Sequence, residues 1–244
     1  MECREEHLRT AMLLGESAME KLARARVAVF GVGGVGGHIC EALARAGVGA
    51  IDLFDNDEVS RSNINRQIVA LHSTLGRPKV DVMRERILDI NPDCRVRAFQ
   101  AFYLPENADD YPLDGYTYVA DAIDTVSAKI ELAVRAERAG IPLISAMGAG
   151  NRTDPTRFAV TDLFKTEGCP LARVMRRELR ARGIKHLKVV FSSEPSAPRP
   201  DDAPAISCDP HKPVPASLPF VPSVAGLIMA GEIVMDICRK SSCD

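Results

Sequence analysis

A chain of 244 residues with 31 lysines and arginines against 33 aspartates and glutamates, net −2, has room for one α/β domain and no global basic field. Any polyanionic partner must therefore meet a local patch. Seven cysteines (Cys3, Cys40, Cys94, Cys169, Cys208, Cys238, Cys243) are odd in number, lack a CxxC pair and follow no secretory segment; this excludes a disulfide framework and a tetrahedral zinc site, and predicts a reduced, cytoplasmic protein.

Residues 1–26 read as a helical arm. The apolar run 27–30 is a buried parallel strand, after which Gly31, Gly33, Gly34 and Gly36 form the turn into a helix reaching about residue 46. That geometry points the free amides of a helix N-terminus at a phosphate. A second strand, 50–54, delivers Asp55 beyond its carboxyl end, where an acid holds ribose hydroxyls in doubly wound sheets. These residues alone suit a nicotinamide or flavin dinucleotide equally well.

A polar linker, 56–62, leads to a short helical piece near 67–72 and a helix over 78–90 with Pro78 in its first turn. The strand 95–99 follows. Another strand, 116–120, runs into Asp121 and Asp124, the helix 127–139 stops at Gly140, and the strand 141–146 closes on the turn MGAGN. Short strands at 156–160 and 187–191 flank a basic helix, 170–182. Residues 194–222 contain nine prolines and read as an extended, mobile crossover. The apolar segment 221–238 is interrupted by Pro222, Glu232 and Asp236, which makes it a core helix and not a membrane span.

The predicted fold class is thus α/β: a Rossmann-like, doubly wound, mostly parallel sheet with added C-terminal strands, a basic helix and a proline-rich crossover loop. It forms a single unit over 1–244, divided into the arm (1–26), a nucleotide-binding core (27–150), a basic substrate-facing region (151–193), the loop (194–222) and a C-terminal helix (223–244).

Arg66 lies 11 positions and Lys79 lies 24 positions after Asp55, all beyond one strand end, so both cations are placed to meet distal phosphates. Two cations there suit a triphosphate better than a dinucleotide, because phosphoanhydride attack needs positive charge where negative charge develops. Both residues are also at home as surface cations on helix starts. Asp124 is positioned to share Mg²⁺ with phosphate oxygens or to cap the following helix, with Asp121 competing for either role.

The motifs GVGGVG, FDNDEVSRSNINRQ, GRPKV and DAIDT, in this order, resemble the adenylation domain of the ubiquitin-activating, molybdopterin-synthase-activating and thiamine-sulfur-carrier-activating superfamily. The resemblance implies ATP and Mg²⁺ as ligands: Gly33 and Gly34 against the phosphates, Asp55 on the ribose, Asn63, Arg66 and Lys79 on the phosphates, and Asp124 on the metal. It also implies that Arg9, in LRTAMLLG, reaches into a partner subunit's ATP site, hence a homodimer.

The segments SAMGAGNRTDPTRFAVTDLFKT, KVVFSSE and FVPSVAGLIMAGEIV, together with the missing zinc pairs, are similar to the tRNA threonylcarbamoyladenosine dehydratase branch. This implies ATP-dependent cyclisation of the modified adenosine beside the anticodon, through an acyl-adenylate. Cys169 stands where the branch has an aspartate before the proline.

A tRNA partner needs cations. Between residues 165 and 188, Lys165, Arg173, Arg176, Arg177, Arg180, Arg182, Lys185 and Lys188 face only Glu167 and Glu178, a local net of +6. The same pattern also describes a solvated helix face. Cys208, in the proline-rich segment, and Cys169 are candidate nucleophiles without a motif that activates a thiol, and His211 reads as exposed loop. An alkali cation near MGAGN and a sulfur-transfer protein are further candidate ligands. Two other functions stay open: an adenylating activator of a ubiquitin-like or sulfur-carrier protein C-terminus, and a non-catalytic nucleotide-binding scaffold.

Overall fold

In the computed structural model, which describes residues 4–204 and 215–239, strand β1 (Arg26–Phe30) shows how the sheet is covered on both sides. Val27 and Val29 belong to one core; Ala28 and Phe30 belong to the other. Strictly alternating side chains, all apolar, leave no solvent face, which is the signature of a parallel strand with helices on both sides.

The seven-stranded sheet adds β2 (Ala50–Phe54), β3 (Arg95–Phe99), β4 (Tyr118–Asp121), β5 (Leu143–Ala146), β6 (Phe158–Asp162) and β7 (Lys188–Ser192), in the order β3-β2-β1-β4-β5-β7-β6. All neighbours run parallel except β6 against β7. The order reverses direction at β1 and β4, and the ends of those strands therefore flank a crevice where ligands bind in such sheets.

One core lies beneath α2 (Glu16–Arg24), α3 (Gly36–Arg45), α4 (Lys79–Ile90) and α7 (Phe220–Arg239). Within it Leu22, Ile39, Leu43, Met83, Ile87, Met229 and Ile233 are wholly removed from water, each worth roughly 1.5–3 kcal/mol of burial. The other core lies beneath α5 (Val126–Ala139) and α6 (Pro170–Ala181). A short helix α1 (Leu8–Leu14) precedes α2.

Helix α7 is long and apolar enough to cross a bilayer, yet Val221, Ala225, Met229, Ile233 and Ile237 are buried in the first core. The fit is close: a Cβ on Gly226 would lie 2.4 Å from the Val35 carbonyl oxygen. The helix begins at Phe220, three residues before the expected start, because Pro222 falls in the first turn, where its missing N–H is not needed.

The expected helical piece at 67–72 is absent. Single 3₁₀ turns at Arg61–Asn63 and His72–Thr74 bracket irregular backbone instead. The buried Thr74 hydroxyl donates to the carbonyls of Val69 (2.7 Å) and Leu71 (3.1 Å) and accepts from Leu71 N–H (2.9 Å), taking groups that a helix would need.

Candidate active site

The four glycines after β1 divide into two pairs with different duties. Gly31 has φ +89°, and an added Cβ there would lie 2.6 Å from the Ala122 carbonyl oxygen; one on Gly36 would lie 1.7 Å from the Gly31 oxygen. This pair lets strand, turn and helix close on each other, and Gly36 stands outside the cavity lining. Gly33 and Gly34 face a cavity of about 580 Å³ at the carboxyl ends of the strands, and a Cβ on Gly33 would meet nothing nearer than Gln67 at 3.7 Å.

Asp55 follows β2 directly. Its Oδ2 accepts the Val32 amide at 2.6 Å and its Oδ1 the Asp57 amide at 2.8 Å, which fastens the carboxylate across the glycine turn. Burial pushes its pKa above the ordinary aspartate value, opposed by Lys79 and by those two amides.

Lys79, the first residue of α4, is buried at 4% exposure and donates from Nζ to Asp57 Oδ2 at 2.6 Å. The charge read from the sequence as free for phosphates is therefore shared with Asp57, an acid that spacing alone did not single out. Arg66 Nη1 donates to the Ser62 carbonyl and to Asn65 Oδ1, both at 2.9 Å, and its stem lies beside Gly34. Asn63 Oδ1 accepts the Ser60 amide at 3.1 Å, leaving Nδ2 as its donor.

Asp124 is exposed at the cavity rim and accepts a long 3.4 Å bond from the Thr125 hydroxyl. Among the described residues no side chain caps α5, so the capping role weighed for Asp124 is not met. Asp121 is withdrawn from competition: its Oδ2 accepts Ser145 Oγ at 2.6 Å and pairs with Lys129 Nζ at 2.8 Å, both charges fully buried. Together they hold Ile123, since Asp121 Oδ1 accepts its N–H and Lys129 donates to its carbonyl, both at 3.2 Å. The buried pair thus spends its desolvation cost on placing the backbone one residue before Asp124.

An aromatic cluster adjoins the cavity. Phe30, Phe54 and Phe99 stack with centroids 4.2 and 4.6 Å apart, and Tyr103 meets Phe30 edge-on at 4.9 Å. Phe54, Phe102 and Tyr103 line the space. Among the described residues three buried side-chain polar atoms have no partner, and two of these, Gln67 Oε1 and the Tyr103 hydroxyl, belong to cavity-lining residues. Burial pushes the Tyr103 pKa up, so the phenol remains a donor. Such orphaned groups fit a site whose ligand supplies their partners.

A sequence profile described as ThiF family matches residues 6–242. The chain belongs to the ThiF family. It is 48% identical to the tRNA threonylcarbamoyladenosine dehydratase of Bacillus subtilis (strain 168), over 95% of this chain and 94% of the relative. The enzyme of that name from Escherichia coli (strain K12) is 46% identical over 76% of this chain and 72% of its own length. The crystal structure of the E. coli tRNA N6-threonylcarbamoyladenosine dehydratase in complex with ATP superimposes with a TM-score of 0.85 at 38% identity, covering 96% of this chain and 94% of that one.

Other residues of this ThiF-family chain stand away from the cavity. Arg9 is exposed on α1, outside it. Cys169 is 3% exposed at the start of α6, with its sulfur 3.8 Å from where a Gly148 Cβ would be. Cys208 and His211 lie outside the described residues.

The basic region is smaller than the charge count predicts. Lys188 turns inward to Glu232 and Asp236 on α7 at 2.6 and 2.7 Å, and Arg176 fastens Thr166 through its carbonyl and hydroxyl. Arg177 and Arg182 share Glu178. Lys165, Arg173, Arg180 and Lys185 remain exposed, with Arg180 over the Phe164 ring at 5.5 Å.

Proposed function

We propose that this chain is a tRNA threonylcarbamoyladenosine dehydratase, which uses ATP to cyclise the modified adenosine next to the anticodon. One observation carries the reading: in a chain matched nearly end to end by relatives of that name, a single cavity gathers Gly33, Gly34, Asp55, Arg66, Lys79 and Asp124.

The threonyl carboxylate attacks the α-phosphorus of ATP, forming an acyl-adenylate and releasing pyrophosphate. A nitrogen of the same modification then attacks the acyl carbon, loses its proton and expels AMP. The net change in the nucleoside is loss of one water. Because the second attack is intramolecular, proximity supplies the effective molarity and no protein nucleophile is needed. Arg66 and Lys79 oppose the charge that grows on the departing pyrophosphate. Asp55 takes the ribose hydroxyls, and the aromatic cluster takes the base.

The acids around the cavity, Asp55, Asp57 and Asp124, outnumber Arg66 and Lys79. A protein wall of that balance does not attract a polyanionic triphosphate without a cation, and Asp124 supplies the exposed hard oxygen that Mg²⁺ accepts alongside phosphate oxygens and water. Asp124 would hold the ion, which would supply positive charge against the leaving group.

Arg9 does not line its own cavity and lies on a helix whose Met12 and Leu13 are 87% and 84% exposed, an arrangement that supports a homodimer in which each α1 serves the other subunit's site. The tRNA phosphates would meet Lys165, Arg173, Arg176, Arg177 and Arg180, the outward cations of the group binding directly and Arg176 shaping the surface. A cytoplasmic location follows from this substrate.

The protein is to be incubated with ATP, Mg²⁺ and modified tRNA, unmodified tRNA or a diglycine-ended carrier protein, with AMP and nucleoside mass measured. Loss of one water mass from the modified tRNA alone, with matching AMP, is expected. AMP release with the carrier alone would overturn the reading.

A further inference from the structure

Residues 215–217 form part of the cavity rim, and two asparagines hold them. On one side Asn151, with φ +55° in the left-handed region that asparagine tolerates, donates its N–H to the Ala216 carbonyl and accepts the Ala216 amide on Oδ1, both at 2.8 Å. On the other, Asn65 donates from Nδ2 to the Ser217 carbonyl at 3.0 Å. The strap is also pressed on the MGAGN turn after β5: a Cβ on Gly150 would lie 2.6 Å from Pro215 Cβ.

Asn65 has a second bond, to Arg66 Nη1 through Oδ1 at 2.9 Å. Its side chain is exposed and does not line the cavity, so neither core packing nor ligand contact calls for it. What the position requires is one planar group that accepts from a guanidinium and donates to a carbonyl, which a carboxamide does and a carboxylate or methyl does not.

We propose that Asn65 is a positioning residue that couples the phosphate-binding head of Arg66 to the strap 215–217. This rests on the nucleotide reading of the cavity. When phosphate oxygens fix the Arg66 guanidinium, the carboxamide of Asn65 is fixed with it and the Ser217 carbonyl keeps its donor. The strap is thereby held on the rim while nucleotide is bound. The coupling is reciprocal, so a strap held by Asn65 also presents Arg66 to the phosphates.

The test is backbone hydrogen exchange of the peptide containing 215–218, with and without saturating Mg²⁺ and the α,β-methylene analogue of ATP, which cannot be adenylated onto a carboxylate. In the wild type the analogue is expected to slow exchange at 216–218. In Asn65→Ala and Asn65→Asp that slowing is lost, although the latter keeps an acceptor for Arg66 and both variants keep the wild-type melting temperature. Analogue affinity, measured by calorimetry, falls about fivefold in Asn65→Ala, the effect of one exposed hydrogen bond. Equal protection in wild type and variants would overturn the coupling and leave the nucleotide reading intact. Failure of the wild type to bind the analogue would overturn both.

Discussion

Two cavities of nearly equal size, about 580 and 600 Å³, open at opposite ends of the same sheet. The one at the amino ends of β1–β3 is lined by charges that close on one another: Arg24 pairs with Glu20 at 3.3 Å, and Arg4 pairs with Asp93. The one at the carboxyl ends holds the glycine turn, an exposed carboxylate, orphaned polar atoms and an arginine whose acceptors among the described residues are neutral. Volume does not separate them. Position at the strand ends does, because the loops that leave carboxyl ends present backbone amides and side chains to a ligand, whereas the other end is finished with helix termini and local ion pairs.

The largest difference between the two ends should come from Lys79→Ala, with kcat/KM for cyclisation falling by ~10²–10³, as for loss of one charge-stabilising donor. Full activity in that variant would erase the distinction. Next, Gly36→Ala forces a Cβ against the Gly31 carbonyl oxygen, and a loss of about 1–3 kcal/mol is expected in denaturant melts, with ATP binding lost in parallel. A variant as stable as wild type would show that the turn can shift.

Arg173→Ala with Arg180→Ala should raise the KM for tRNA and flatten its dependence on salt, leaving ATP binding unaltered. An unchanged salt slope would remove α6 from the tRNA surface. Acidification offers a subtler probe. Burial holds the Asp55 pKa above the usual value, so it protonates earlier than an exposed aspartate and ATP affinity measured by calorimetry should fall in that interval. Over the same interval the folded state binds more protons than the unfolded one, so the contribution of Asp55 to stability rises as pH falls. Affinity and melting temperature, after correction for other groups by the Asp55→Asn variant, should therefore move in opposite directions. Smallest of all, Arg24→Ala in the amino-end cavity breaks one exposed ion pair and should alter neither kcat/KM nor stability by more than about 0.5 kcal/mol.

The carboxyl-end cavity was legible where chemistry is tied to short-range pattern. Gly31 to Gly36, Asp55, Lys79 and Asp124 each sit within a few residues of a strand end or helix start, and periodicity locates those, whereas Arg66 stands in irregular backbone well past β2 and was found by its charge alone. The pairing of Lys79 with Asp57, the Asp121–Lys129 bond beneath Ile123 and the contact of Asn65 with Ser217 were not legible, because side-chain geometry and not residue type decides them. Lys188 shows the converse error: counted as a surface cation, it is claimed by acids on a helix more than 40 residues away in sequence. The irregular stretch at 67–72 escaped because Thr74, outside the stretch, takes its backbone groups.

Helix α7 packs against α3 and α2 as well as β5 and β7, so the face of the sheet that carries the first core is roofed by elements from near both ends of the chain. Synthesis proceeds from one end only. Until α7 has been made, the parts of α2 and α3 that it covers stay open even though α3 already meets α4 and β1, and completion of that core is deferred to the last steps of folding, where long-range contacts make the search slow. A nascent chain stopped before residue 220 is expected to bind a hydrophobic dye and to resist refolding. One extended past residue 239 should do neither.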